Sequence, residues 1–139
     1  MALAHSYSGV MPDASLLDAF PTPSDTPFVI EHVAEEFTSV CPVTGHPDFG
    51  EVRVCFEPKP GSGGGVCVEL KSLKLYLQSF RNEGAYYEAV TNLIRDDLAS
   101  LMSPNWLRVT TVWRGRGGIR STVTAEFGNP PVGGAYSGA

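Results

Sequence analysis

The segment FTSVCPVTGHPDFG, residues 37–50, sets a cysteine directly before a proline and an aspartate seven positions later. A thiol attacks as its thiolate, and a carboxyl group kept protonated in a partly apolar site can deliver a proton to an atom the thiolate has activated. Cys41 follows the strand-like EEFTSV, and Pro42 turns the chain out of a sheet, so the thiol is expected at a strand end within reach of a ligand. Asp48 is expected in the turn after it. Each residue also has a plain structural reading: Cys41 as a small buried thiol, Asp48 as a turn former. Cys55, inside an alternating strand, and Cys67, after a glycine loop, read as structural. No metal is expected, because a closed zinc site needs about four ligands and the chain offers three histidines and no second cysteine at ligand spacing.

Two further groups could handle a ligand. In ELKSLKLY, Lys71 and Lys74 stand three apart at a helix start, which makes either a solvated face or a cationic ledge for a phosphate. Glu88 falls in the first turn of a second helix, where the macrodipole alone explains a carboxylate. The same carboxylate could accept two parallel hydrogen bonds from an amidine-like N–H pair on a base. GSGGG is no phosphate loop, since neither GK[ST] nor G-x-G-x-x-G is present.

These residues need elements to place them. The 139 residues suit one domain. FVIEHVAEEFTSV and EVRVCFEP read as strands, the second alternating Val52, Val54 and Phe56 against Glu51, Arg53, Cys55 and Glu57. KPGSGGG breaks the pattern as a hairpin tip or linker. Leu70, Leu73, Leu77 and Phe80 then recur at helical spacing, with Gly84 as the expected C-cap. Val90, Ile94, Leu98 and Leu101 mark a second helix over about 86–102. WLRVTTVWR and IRSTVTAEF return to period two around a GRGG turn. The order strand, strand, helix, helix, strand, strand predicts an α+β fold: a four-stranded antiparallel sheet with both helices on one face. The open sheet edges predict oligomerisation, with edge-to-edge closure into a barrel and a site between subunits. Residues 1–26 are expected to form a partly mobile arm, 27–128 the catalytic domain, and 129–139 a flexible tail.

Ten basic and fifteen acidic residues give a net charge of -5, which argues against a nucleic-acid partner. No apolar run or leader-like start points to a membrane, and three cysteines without paired spacing suit free thiols, so a cytoplasmic protein is expected.

FTSVCPVTGHPDF, ELKSLKLYLQSFRN, the YYE before the second helix and the late RGGI, in this order, resemble the single-domain 7-cyano-7-deazaguanine reductases, the QueF nitrile reductases of queuosine biosynthesis. The resemblance covers roughly residues 15 to 128 and implies the tunnelling fold, an assembly expected to be a decamer of two pentamers, and NADPH as cofactor. It implies that Cys41 attacks the nitrile carbon to give a covalent thioimide, that Asp48 donates the proton, and that two NADPH molecules complete the reduction to the aminomethyl product. Glu88 and Tyr87 would hold the base, with Val68, Glu69 and Leu70 lining the substrate pocket. Lys71, less directly Lys74, and Arg116 and Gly117 would lie near the cofactor. Two positions depart from the family pattern: Tyr87 stands where His is usual, and Leu70 where Ser is common. The competing readings are the related amidinotransferase acting on a nitrile base in tRNA, and a non-catalytic deazapurine-binding module.

Overall fold

The computed structural model describes residues 12–131. The outer part of the expected N-terminal arm and most of the expected C-terminal tail lie outside the described residues. In chain order the elements are β1 (Ala19–Pro21), β2 (Ile30–Val40), β3 (Pro47–Glu57), β4 (Val66–Val68), α1 (Leu70–Gln78), α2 (Tyr87–Met102), β5 (Trp106–Arg116) and β6 (Ile119–Gly128). Strands β2-β3-β5-β6 form the expected antiparallel sheet in that order, while β1 and β4 pair as a second, two-stranded sheet that periodicity did not signal.

Alternation decides which face is dry. Val52, Val54 and Phe56 of β3 and Leu107, Val109 and Trp113 of β5 point into one core, where Leu73, Leu77 and Phe80 meet Val90, Ile94 and Leu98 of α2. Both helices therefore cover one face of the sheet, as the apolar stripes require. No helix among the described residues is long and apolar enough to cross a membrane.

Three local expectations are corrected. Leu70, placed on the apolar stripe of α1, is exposed, because α1 begins at this residue and its buried face starts one turn later at Ser72 and Leu73. Gly84 is not the helix C-cap: α1 ends at Gln78 with Ser79 as its cap, and Gly84 instead bridges to Val40. That bridge is flanked by Val40 N–H to Glu83 O and Ala85 N–H to Val40 O, both 3.0 Å, so the loop after α1 is stitched to the end of β2, beside Cys41. Asp48 lies in strand β3 rather than in a turn. The turn is complete by residue 46, closed by Cys41 N–H to His46 O at 2.8 Å and Gly45 N–H to Cys41 O at 2.9 Å, with Gly45 at φ 74°. Pairing resumes with Val40 opposite Pro47, a position a proline tolerates at a strand start.

Gly50 leaves room for an indole. In register it lies between Phe37 and Trp113, and a Cβ there would sit 2.8 Å from Val112 O and 3.0 Å from the Trp113 ring. The indole packs over this bare backbone, with Phe37 edge-on to it at 5.8 Å. Gly50→Ala should cost roughly 1–3 kcal/mol by overpacking, measured as a lower urea midpoint; an unchanged midpoint would refute the close-approach role.

Candidate active site

The loop between β2 and β3 turns its amides toward the Cys41 sulfur. Cys41 is buried, which by itself disfavours a thiolate. The thiol is nevertheless pulled below its ordinary value, first by the Thr44 side chain, then by the backbone N–H groups of Thr44 and Val43, with the positive charge of Arg116 adding to them against burial. Arg116 reaches the sulfur directly, Nη2 to Sγ at 3.5 Å. The turn that Pro42 and Gly45 enforce in CPVTG thus presents donors to the thiol of the residue that opens it, which eases its ionisation.

Asp48 is the second buried group, its side chain 3% exposed. A carboxylate so placed needs donors, and it has two on one oxygen: Arg116 Nη1 at 2.8 Å and the Tyr87 hydroxyl at 3.3 Å, both to Oδ1. Its Oδ2 carries no hydrogen bond among the described residues. Arg116 arrives from the far end of β5, where the register shifts between Trp113 and Arg116 and Gly117 and Gly118, both at positive φ, make a two-residue hairpin turn. Tyr87 opens α2 and stacks on Trp113, ring centroids 4.0 Å apart and 8° from parallel. Burial and the Asp48 charge hold the Tyr87 phenol above its ordinary value, with Arg116 opposing, so the hydroxyl stays neutral and donating.

Cys41, Asp48, Tyr87 and Arg116 therefore form one cluster, with Gly117 in the turn that carries Arg116. The other residues singled out from the sequence form a second group. Glu69, Leu70, Lys71 and Lys74 line a cavity of about 600 Å³ between β2 and α1, together with Phe37, Leu73 and Arg81. Glu69 caps α1, accepting from Lys71 N at 2.7 Å and Ser72 N at 2.8 Å, and these two N–H groups lower its carboxyl. Val68 is buried in β4, its N–H directed to Met102 Sδ. Glu88 is exposed at the start of α2, its carboxylate without a hydrogen bond among the described residues. No cluster of three or more potential metal ligands occurs among the described residues.

The family model described as "QueF-like protein" matches residues 47–131. The chain belongs to the QueF-like family. A relative from Anaeromyxobacter sp. (strain K), named NADPH-dependent 7-cyano-7-deazaguanine reductase, is 50% identical over 118 residues, covering 84% of this chain and 93% of its own. One of the same name from Chlorobium phaeobacteroides (strain BS1) is 52% identical over 103 residues, covering 74% and 83%. A crystal structure of the archaeosine synthase QueF-Like in the apo form superposes with a TM-score of 0.64 over 79% of this chain and 99% of that one, at 23% identity, and so shares the fold.

Within this QueF-like chain, sequence reasoning missed four participants. Thr44 was legible in principle, as a hydroxyl three residues beyond the thiol in a proline-glycine turn. Arg81 lines the cavity and continues the stripe of Lys71 and Lys74 at a spacing of seven. Trp113 stood out only as one position in the period-two strand WLRVTTVWR. Ser39 lies opposite Asp48 in the β2–β3 ladder with its hydroxyl buried and without a hydrogen-bond partner among the described residues, which no local pattern signals. The Thr44 role is checked by thiol alkylation against pH. Thr44→Val removes the leading influence that lowers the Cys41 thiol, so its alkylation midpoint should move to higher pH; an unmoved midpoint would eliminate Thr44 as an activator.

Proposed function

We propose that the chain reduces the nitrile of 7-cyano-7-deazaguanine to the aminomethyl group in queuosine biosynthesis, with NADPH as reductant. The observation that carries this reading is the juxtaposition of Cys41, whose thiol is lowered, with the buried acid Asp48 under one arginine that contacts both. A nitrile carbon accepts a thiolate, and its nitrogen then needs a proton. Cys41 Sγ forms the new bond to carbon as the thiol proton, taken up by the Asp48 carboxylate, passes to nitrogen, and the product is a thioimide tethered to Cys41. Covalent capture divides a difficult reduction into easier steps and holds the C=N carbon in place.

NADPH, when bound, would supply the hydrides: two molecules provide the two hydrides that carry the nitrile to the amine, each matched by a proton, with the bond from carbon to Cys41 Sγ breaking between them to return the thiol. The cavity between β2 and α1 fits such a ligand, with a volume in the usual range for cofactor sites and Lys71, Lys74 and Arg81 around an apolar wall of Phe37, Leu73 and Leu77. Arg116 of the hairpin is a bidentate partner for phosphate oxygens. Glu88, exposed and unpaired, holds the base by its N–H pair, with Glu69 and Leu70 lining the pocket.

The two groups of residues line different parts of the chain surface, which supports a site completed between subunits of an assembly closed through the edges β2 and β6. Exposed apolar side chains on those strands, Val33, Ile119 and Phe127, suit that closure. A decamer of two pentamers in the cytoplasm is the assembly this reading carries, and native mass spectrometry should return ten chains; a stable monomer would contradict it.

The chemistry is tested by intact mass and absorbance. Incubation with 7-cyano-7-deazaguanine should add the mass of the base, and NADPH should then be consumed at two equivalents per product. Cys41→Ala should abolish the adduct and Cys55→Ala should keep it, whereas Arg81→Ala should keep the adduct and raise KM for NADPH. Equal loss of the adduct in both cysteine variants would mean that another group is the nucleophile. An adduct with no NADPH consumption would favour the amidinotransferase chemistry instead.

A further inference from the structure

Tyr87 is held from two sides by one buried hydrogen-bond chain. The Trp113 indole N–H donates to Thr111 Oγ1 at 2.7 Å, Thr111 and Thr91 share a hydrogen bond of 2.7 Å, and Thr91 Oγ1 donates to the Tyr87 carbonyl at 2.8 Å. Each hydroxyl has one proton. Since that of Thr91 goes to Tyr87, Thr111 must be the donor between the threonines, and the chain runs in one direction from indole to carbonyl. Its far end returns to its start, because the ring of Tyr87 stacks on the same Trp113.

Packing does not explain these hydroxyls. Thr91 and Thr111 are fully buried and Trp113 nearly so, and valine would fill either threonine position without a polar group to satisfy. A complete polar chain in such a place fixes geometry. Phe37 and the bare backbone of Gly50 confine the indole from the remaining directions.

We propose that Thr91 and Thr111 are positioning residues for the acid Asp48. The relay sets the plane of Trp113, the stacked Tyr87 ring follows that plane, and the Tyr87 hydroxyl thereby meets Asp48 Oδ1. The catalytic consequence rests on the reductase reading, whereas the geometry does not.

The test uses the full-length chain with Thr111→Val, Thr111→Ser, Tyr87→Phe and the Thr111→Val/Tyr87→Phe double variant, with Thr91→Val interrupting the same chain from α2 should Thr111→Val fail to fold. Near-ultraviolet circular dichroism of the stacked Tyr87–Trp113 pair reads the relay without turnover. Thr111→Val should weaken that signal and lower kcat roughly tenfold, leaving KM for the nitrile base within about twofold, as misplacement of a catalytic group does. Thr111→Ser should restore both. The double variant should lose no more than about twofold beyond Tyr87→Phe, because both changes act through one contact. Serine as damaging as valine, an unchanged near-ultraviolet signal in the valine variant, wild-type kcat in that variant, or fully additive losses would each overturn the proposal. Absence of wild-type turnover would overturn the reductase reading, and the near-ultraviolet comparison of valine with serine would still decide the relay.

Discussion

A carboxyl group withdrawn from water must be met by donors or give up its charge, and Asp48, with 3% of its side chain exposed, organises its surroundings accordingly. Arg116 reaches it from the end of β5 and Tyr87 from the start of α2. Neither is near Asp48 in sequence, so the whole sheet and the second helix must assemble before the acid is satisfied. Asp48 is the buried member of the ion pair and Arg116 the exposed one, so removing a donor leaves a withdrawn carboxylate short of partners, which ties the integrity of the fold to the presence of the site.

Cys41 follows the opposite logic. Its donors are local, the Thr44 hydroxyl and the amides of Thr44 and Val43, and they come with the turn that Pro42 and Gly45 shape. Thiol and acid are thus neighbours by chain proximity, at the two ends of one hairpin connection, but they are tuned by different means. The thiolate is favoured by a loop of a few residues, the acid by contacts with residues distant in the chain. Arg116 joins the two systems, since its two terminal nitrogens face one group each.

That division also explains what was legible in the sequence. The strand and helix order followed from periods of two and of three to four, which are local properties, and Cys41 at a strand end followed from Pro42. Asp48 was identified as the companion group but placed in a turn, because nothing local announces that pairing restarts at Pro47. The stripe of α1 was read one turn too early at Leu70, since Glu69 capping the helix is a choice of backbone conformation rather than of hydrophobic pattern. Gly84 looked like a cap by spacing, and its bridge to Val40 is a long-range contact. Trp113 and Ser39 escaped for the same reason: strand register alone sets Ser39 opposite Asp48 and Trp113 opposite Gly50.

The two Asp48 partners differ in their exposure to solvent. Tyr87 is wedged between Trp113 and the acid, whereas the Arg116 side chain is 53% exposed on a hairpin turned by two glycines at positive φ. The phenol is therefore the packed partner and the guanidinium the one that solvent reaches. A guanidinium drawn toward an anion in solvent would leave Asp48 with the Tyr87 hydroxyl as its remaining side-chain donor among the described residues. The same displacement removes a positive charge from beside Cys41, but the thiolate keeps its leading stabilisation from Thr44 and the loop amides. The two groups thus depend on Arg116 to different degrees, and this asymmetry follows from Cys41 having local donors and Asp48 having distant ones.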